Sequence, residues 1–142
     1  MMKYKSLIIF DVAKRSDILA IALCKDSKKI NPLPNDRYAI NCFFHDDKHP
    51  SMILDRKNNR YYCHCCKETG NAIDLLMNLY NLKFITSVET LAYIFNISLP
   101  KRYNIDVDYN VANKIKNIVN SDKYKDLING SYQKTLKKTL KK

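Results

Sequence analysis

The sequence predicts an α+β fold: a small antiparallel sheet pinned at one end, flanked by helices and followed by a helical basic tail. Three observations predict it. Arg37 to Cys42, Ser51 to Asp55 and Arg60 to Cys63 have the length and residue types of short strands set among turn residues. Two donor pairs, Cys42-Phe-Phe-His45 and Cys63-His-Cys-Cys66, fall at the ends of those runs, and apolar residues recur at helical spacing on either side.

Along the chain, residues 5 to 15 read as a short helix with Leu7, Ile8 and Val12 on one face. Ser16-Asp17 caps a second helix that runs to about Cys24, with Ile18, Leu19, Ala22 and Leu23 on its apolar side. Asp26 to Asp36, which holds Pro32 and Pro34, reads as a loop. Asn58-Asn59 is the expected turn between the second and third strands, because Asn tolerates positive φ. Gly70 is expected as a flexible joint. Asn71 then caps a helix from Ala72 to about Leu82, with Ile73, Leu76, Met77 and Tyr80 as its buried stripe. Thr86 or Ser87 caps another to Phe95, with Val88, Leu91, Ala92 and Phe95 inward. Pro100 marks the expected end of the compact unit, so residues 1–100 form one domain and 101–142 the tail.

The two donor pairs carry the chemistry. A two-residue gap lets one tight turn aim both donor atoms at one ion, and Zn²⁺ takes four such ligands in a tetrahedron. Cys42, His45, Cys63 and Cys66 are the expected set, with His64 and Cys65 as spare donors beside the second pair. Cys₃His favours zinc over iron. Four protein ligands leave no position for water, so one structural zinc ion is expected and a hydrolytic one is not. The His-x-Glu signature of the zinc deaminases is missing from the sequence.

Charge and cysteine usage narrow the class. The formal net charge is +11, with 14 Lys and Arg against 10 Asp and Glu before residue 101 and 11 against 4 after it. So cationic a chain suits a polyanionic partner. Three bound thiolates leave Cys24 and Cys65, which fits a reducing cytoplasm better than a disulfide framework. The early apolar run Leu7 to Phe10 stops at Asp11, too short for a signal peptide or a membrane span. In the tail, Val111, Ile115 and Ile118 make one stripe. Tyr132, Leu136 and Leu140 make a second among Lys134, Lys137, Lys138, Lys141 and Lys142. Such an amphipathic basic helix suits nucleic acid or a partner groove, and a membrane surface least of the three.

Residues 12 to 99 resemble the zinc-binding domain at the N-terminus of bacterial and phage replicative DNA primases. The resemblance rests on Arg15-Ser-Asp17-Ile18, on Cys42-Phe-Phe-His45 followed by Lys48-His-Pro50-Ser51, on Tyr61-Tyr-Cys63-His-Cys-Cys66, on Gly70-Asn71-Ala-Ile-Asp74, and on Leu82-Lys-Phe84 with Ala92 to Ile97. Phe43 stands where the family has proline, and Cys65 and Lys67 where it commonly has glycine. The resemblance implies a ribbon that holds single-stranded template. Arg37, Lys48, Arg56, Lys57, Arg60, Tyr61, Tyr62 and Lys67 lie on or beside the ribbon strands and are the expected nucleic-acid contacts. Tyr61 and Tyr62 point to opposite faces, so one packs inward and the other is left for stacking.

Complete primases continue into a Toprim-type catalytic domain that needs a glutamate and an Asp-x-Asp pair. Asp106-Val-Asp108 has that spacing, but no glutamate follows Glu89 and 34 residues follow Asp108. The expectation is therefore a non-enzymatic, DNA-binding primase-type module of a phage or mobile element. Its alternatives are a protein-interaction module that binds a replication protein or another partner, as an inhibitor among other roles, and the non-catalytic subunit of a split primase; a primase catalytic subunit, a helicase or another protein is the expected protein partner.

Overall fold

A computed structural model describes residues 4–25, 30–46, 49–100 and 106–130. Two helices lead, α1 (Ser6–Arg15) and α2 (Ile18–Lys25). Five strands follow: β1 (Ile30–Leu33), β2 (Arg37–Ile40), β3 (Met52–Asp55), β4 (Arg60–Cys63) and β5 (Thr69–Asn71). The sheet is an antiparallel meander in chain order. Helices α3 (Ala72–Tyr80), α4 (Phe84–Ile94) and α5 (Tyr109–Val119) come next, with a further helical stretch over 122–130. The α+β class holds.

The core lies between one face of the sheet and the helices. Alternation along the strands turns Tyr38, Ile40, Met52, Leu54, Tyr61 and Cys63 inward, where α2 and α3 cover them. Helix α2 is buried all round, from Ile18 to Leu23, because the sheet, α3 and α5 pack on different sides of it. The core also takes Val111, Ala112 and Ile115 from α5 and Tyr124 from the stretch that follows. Residues beyond Pro100 thus share the apolar interior of residues before it.

Several local expectations are corrected. Residues 30–33 form a strand where a loop was expected. Pro32 is tolerated there because β1 is an edge strand, and Asn35 and Asp36, at φ 66° and 58°, close its hairpin to β2. Leu7 is 82% exposed and does not join Val12 in the core. Gly70 is no joint: a Cβ there would stand 2.8 Å from Asp74 Cβ and from the Tyr61 hydroxyl, so the position demands the smallest residue. Neither Thr86 nor Ser87 caps α4, whose N-cap is Lys83; Thr86 instead donates its hydroxyl to Asp106 at 2.6 Å.

Two predicted caps are present. Asp17 Oδ1 accepts from Leu19 N at 3.0 Å and opens α2, while Asn71 and Asp74 form a reciprocal capping box on α3. Asn59 does more than turn the hairpin. Its backbone is left-handed at φ 52°, its Oδ1 accepts from Ile18 N at 3.0 Å, and its Nδ2 donates to the carbonyls of Lys14 and Ser16. The tip of β3–β4 is thereby tied to the α1–α2 corner.

Candidate metal centre

Cys42 and His45 sit in the loop after β2, Cys63 ends β4, and Cys66 lies in the turn between β4 and β5. Pairing of Met52 with Cys63 brings the start of β3 beside the second donor pair. His64 N donates to Ser51 O at 2.9 Å and Cys63 N to Glu68 O at 2.9 Å, which fixes the knuckle. Lys67 takes φ 67° there, the left-handed position at which a non-glycine residue costs about 1–2 kcal/mol.

The donor atoms of Cys42, His45, Cys63 and Cys66 lie within 4.8 Å of one another. Cys42 Sγ is 3.7 Å from Cys66 Sγ, and His45 Nε2 is 3.3 Å from Cys63 Sγ. Thiolates about 2.3 Å from a tetrahedral ion stand about 3.8 Å apart, so the sulfur spacing fits zinc. His45 Nδ1 donates to the Asp46 carbonyl at 3.1 Å, which leaves Nε2 as the metal-facing lone pair. The spare donors stay outside the set: His64 packs edge-on against Tyr62, and Cys65 is exposed.

The two inner thiols are tuned in opposite directions. Burial pushes the Cys42 thiol up to about 12. Burial also pushes Cys63 up, but hydrogen bonds from Ser51 and the Cys66 and Cys65 amides outweigh it and hold the thiol below its ordinary value. The surroundings of Cys63 thus favour the thiolate, whereas those of Cys42 favour the thiol.

Beside the metal centre the outer sheet face carries two cross-strand rows. One reads Arg37, Asp55, Arg60 and Asn71, and the other Ala39, Ile53, Tyr62 and Thr69. Arg37, Asp55 and Arg60 of the first row and Ile53, Tyr62 and Thr69 of the second line a groove of about 280 Å³, with His64 also in its lining. Tyr62 stays exposed, its ring 5.0 Å from the His64 ring and 6.0 Å from Lys67 Nζ.

Of the expected nucleic-acid contacts, Arg37, Arg60, Tyr62 and Lys67 come together here, and Lys57 is exposed at the hairpin tip. Tyr61 turns inward, 2% exposed, against Phe44. Arg56 also turns inward: its guanidinium meets Asp17 at 3.0 Å, Asp36 at 2.9 Å and the Tyr124 hydroxyl at 3.1 Å. Lys48 and the tail positions Lys134, Leu136, Lys137, Lys138 and Leu140 lie outside the described residues. Sequence reading missed Ile53, Asp55 and Thr69 on this face, although period-2 alternation from Tyr62 and its partners marks them.

The CHC2 zinc finger profile matches residues 5–107. The chain belongs to this family. CHC2 membership and the four-donor cluster together establish one structural zinc ion held by Cys42, His45, Cys63 and Cys66. Relatives include the DNA primase of Buchnera aphidicola from Acyrthosiphon pisum, 44% identical over 63 residues, which are 44% of this chain and 11% of that one. The DNA primase of Escherichia coli K12 is 35% identical over 94 residues, 66% of this chain and 16% of that one. The crystal structure of the zinc-binding and RNA polymerase domains of Aquifex aeolicus primase shares the fold, with a TM-score of 0.54 at 20% identity over 70% of this chain and 24% of that one. The chain carries a primase-type zinc-binding domain, and it spans about a tenth to a sixth of the curated relatives named here. Among the described residues, no helix is long and apolar enough to cross a membrane.

Proposed function

We propose that the chain holds single-stranded DNA on the outer sheet face during primer synthesis, with zinc fixing the face and a catalytic partner supplying polymerisation. The observation that carries this reading is the pair of rows next to the metal. Arg37 and Arg60 on one row offer positive charge for phosphates, and Tyr62 and Ile53 on the other offer apolar surface for bases. A base stacked on an aromatic ring is worth about 1–3 kcal/mol whatever its identity, and each neutralised phosphate adds a salt-dependent increment. The face thus suits a template whose sequence varies.

The catalytic partner is a primase polymerase chain or domain, since residues 1–142 match only a small share of each relative primase. A helicase or another replication protein is the further class of partner expected around such a module. Titration of labelled oligothymidylate should show affinity falling steeply with salt, by a log–log slope of about −0.7 per phosphate neutralised. Arg60→Glu and Tyr62→Ala should each weaken binding while zinc content stays at one ion per chain. Binding indifferent to salt and to both changes would overturn the proposal. Template and nucleotides should yield primer only when a catalytic chain is added, and product from the 142 residues alone would refute the division of labour.

A further inference from the structure

We infer that the single strand does not end at the sheet but crosses the β3–β4 hairpin tip onto helix α1, where Phe10 and Lys14 form a second nucleotide site. The inference rests on the single-strand reading above and extends it. A second groove, of about 240 Å³, lies between α1 and the hairpin, lined among others by Phe10, Lys14, Asn58, Arg60 and Asn71. Arg60 lines both grooves, and its cross-strand neighbour Asn71 completes the row that begins at Arg37. The two surfaces therefore adjoin through Arg60.

The chemistry of the second groove matches the first. Phe10 is 59% exposed, and Lys14 Nζ stands 5.3 Å from its ring centroid. An aromatic ring with an adjoining cation is the pair that one nucleotide needs, the ring for its base and the ammonium for its phosphate. Among the described residues no carboxylate lines this groove. The nearest acidic residue on α1, Asp11, is paired with Arg15 at 3.3 Å. Asn58 and Asn71 supply amide groups on the rim, and Lys57 is exposed beside them at the hairpin tip. The tie between Asn59 and the α1–α2 corner holds α1 at a fixed place against the hairpin, so the second site is built before any strand arrives. The positive lining favours nucleic acid over an apolar peptide segment as the occupant.

The test uses the full 142-residue chain and oligothymidylates of about 4 and about 10 nucleotides, within the span one small nucleic-acid-binding domain covers. Phe10→Ala should weaken binding of the longer strand roughly five- to tenfold and leave the shorter one nearly unchanged. Lys14→Ala should reduce the salt slope by about 0.7 on the longer strand alone. Tyr62→Ala should weaken both lengths. If Phe10→Ala and Lys14→Ala leave the longer strand unaffected, or affect both lengths equally, while Tyr62→Ala still acts, the second site is wrong and the sheet site stands. If Tyr62→Ala acts on neither length, the sheet reading fails and takes the extension with it. Both altered side chains are exposed, and unchanged melting and zinc content confirm that any loss comes from binding.

Discussion

Arg56 Nε lies 3.0 Å from Asp17 Oδ2, joining the β3–β4 hairpin to the corner between α1 and α2 across 39 residues of sequence. Tyr124 closes the set, accepting from Arg56 and donating to the same carboxylate oxygen. Asp17 keeps only 10% of its side chain exposed, and its other oxygen caps α2. Arg56→Ala would leave that carboxylate buried without its cationic partner, a change expected to destabilise by about 3 kcal/mol. Melting should fall by roughly 10 °C. The salt slope of DNA binding should stay as it was, because the guanidinium faces the interior. A reduced slope with unchanged melting would return Arg56 to the binding face.

That network explains what the sequence did and did not disclose. The metal ligands were legible because two-residue spacing is itself the geometric requirement. Asp17 and Asn71 were legible as caps because a cap acts on residues two or three positions away. Arg56 and Arg60 look alike in sequence, four residues apart on the same hairpin, and only the partners Asp17, Asp36 and Tyr124 turn Arg56 inward. The strand at Ile30–Leu33 was hidden for another reason: Pro, Asn and Asp mark both loops and the hairpins of edge strands. Asn59 was readable as a turn residue but not as a tether, since its partners lie more than 40 positions away.

Alkaline pH should loosen the fold through its buried phenols. Burial pushes Tyr124 above the ordinary value of 10.0, and the Asp17 carboxylate adds to the shift while Arg56 opposes it. Burial likewise raises Tyr61 and Tyr80. A raised folded value means that the folded chain keeps its protons longer than the unfolded one. The associated stability is complete below pH 10.0 and declines as pH rises beyond it. Melting temperature should hold steady up to about pH 9.5 and then drop. Tyr124→Phe should make that drop shallower, and an unaltered alkaline decline in this variant would remove Tyr124 as a cause.

Zinc removal should be more damaging than any of these changes. Structural zinc in small fingers contributes on the order of 10–16 kcal/mol, as large as the stability of a whole domain. A strong chelator should abolish cooperative melting, and Cys63→Ser should reproduce the effect. Cys65→Ser supplies the contrast, because Cys65 is exposed and lies outside the four-donor cluster. It should retain one zinc per chain and the parent melting curve. Loss of zinc on changing Cys65 rather than Cys66 would reassign the fourth ligand.

Asp55 stands between Arg37 and Arg60 on the charged row, opposite both in the strand register. Its oxygens accept from Asn58, at 3.2 Å from the amide and 2.8 Å from the side chain, so it has a structural reason to be there. The same carboxylate opposes a phosphate drawn to the flanking guanidinium groups. Asp55→Asn keeps an acceptor for the turn and removes the charge. Exposed charge pairs are worth up to about 1 kcal/mol, so single-stranded DNA should bind about two- to fivefold tighter at low salt. The gain should vanish as salt screens the row. Weaker binding would mean instead that the carboxylate accepts directly from an amino group of a base, and the preference for thymine over cytosine would then shift with the substitution.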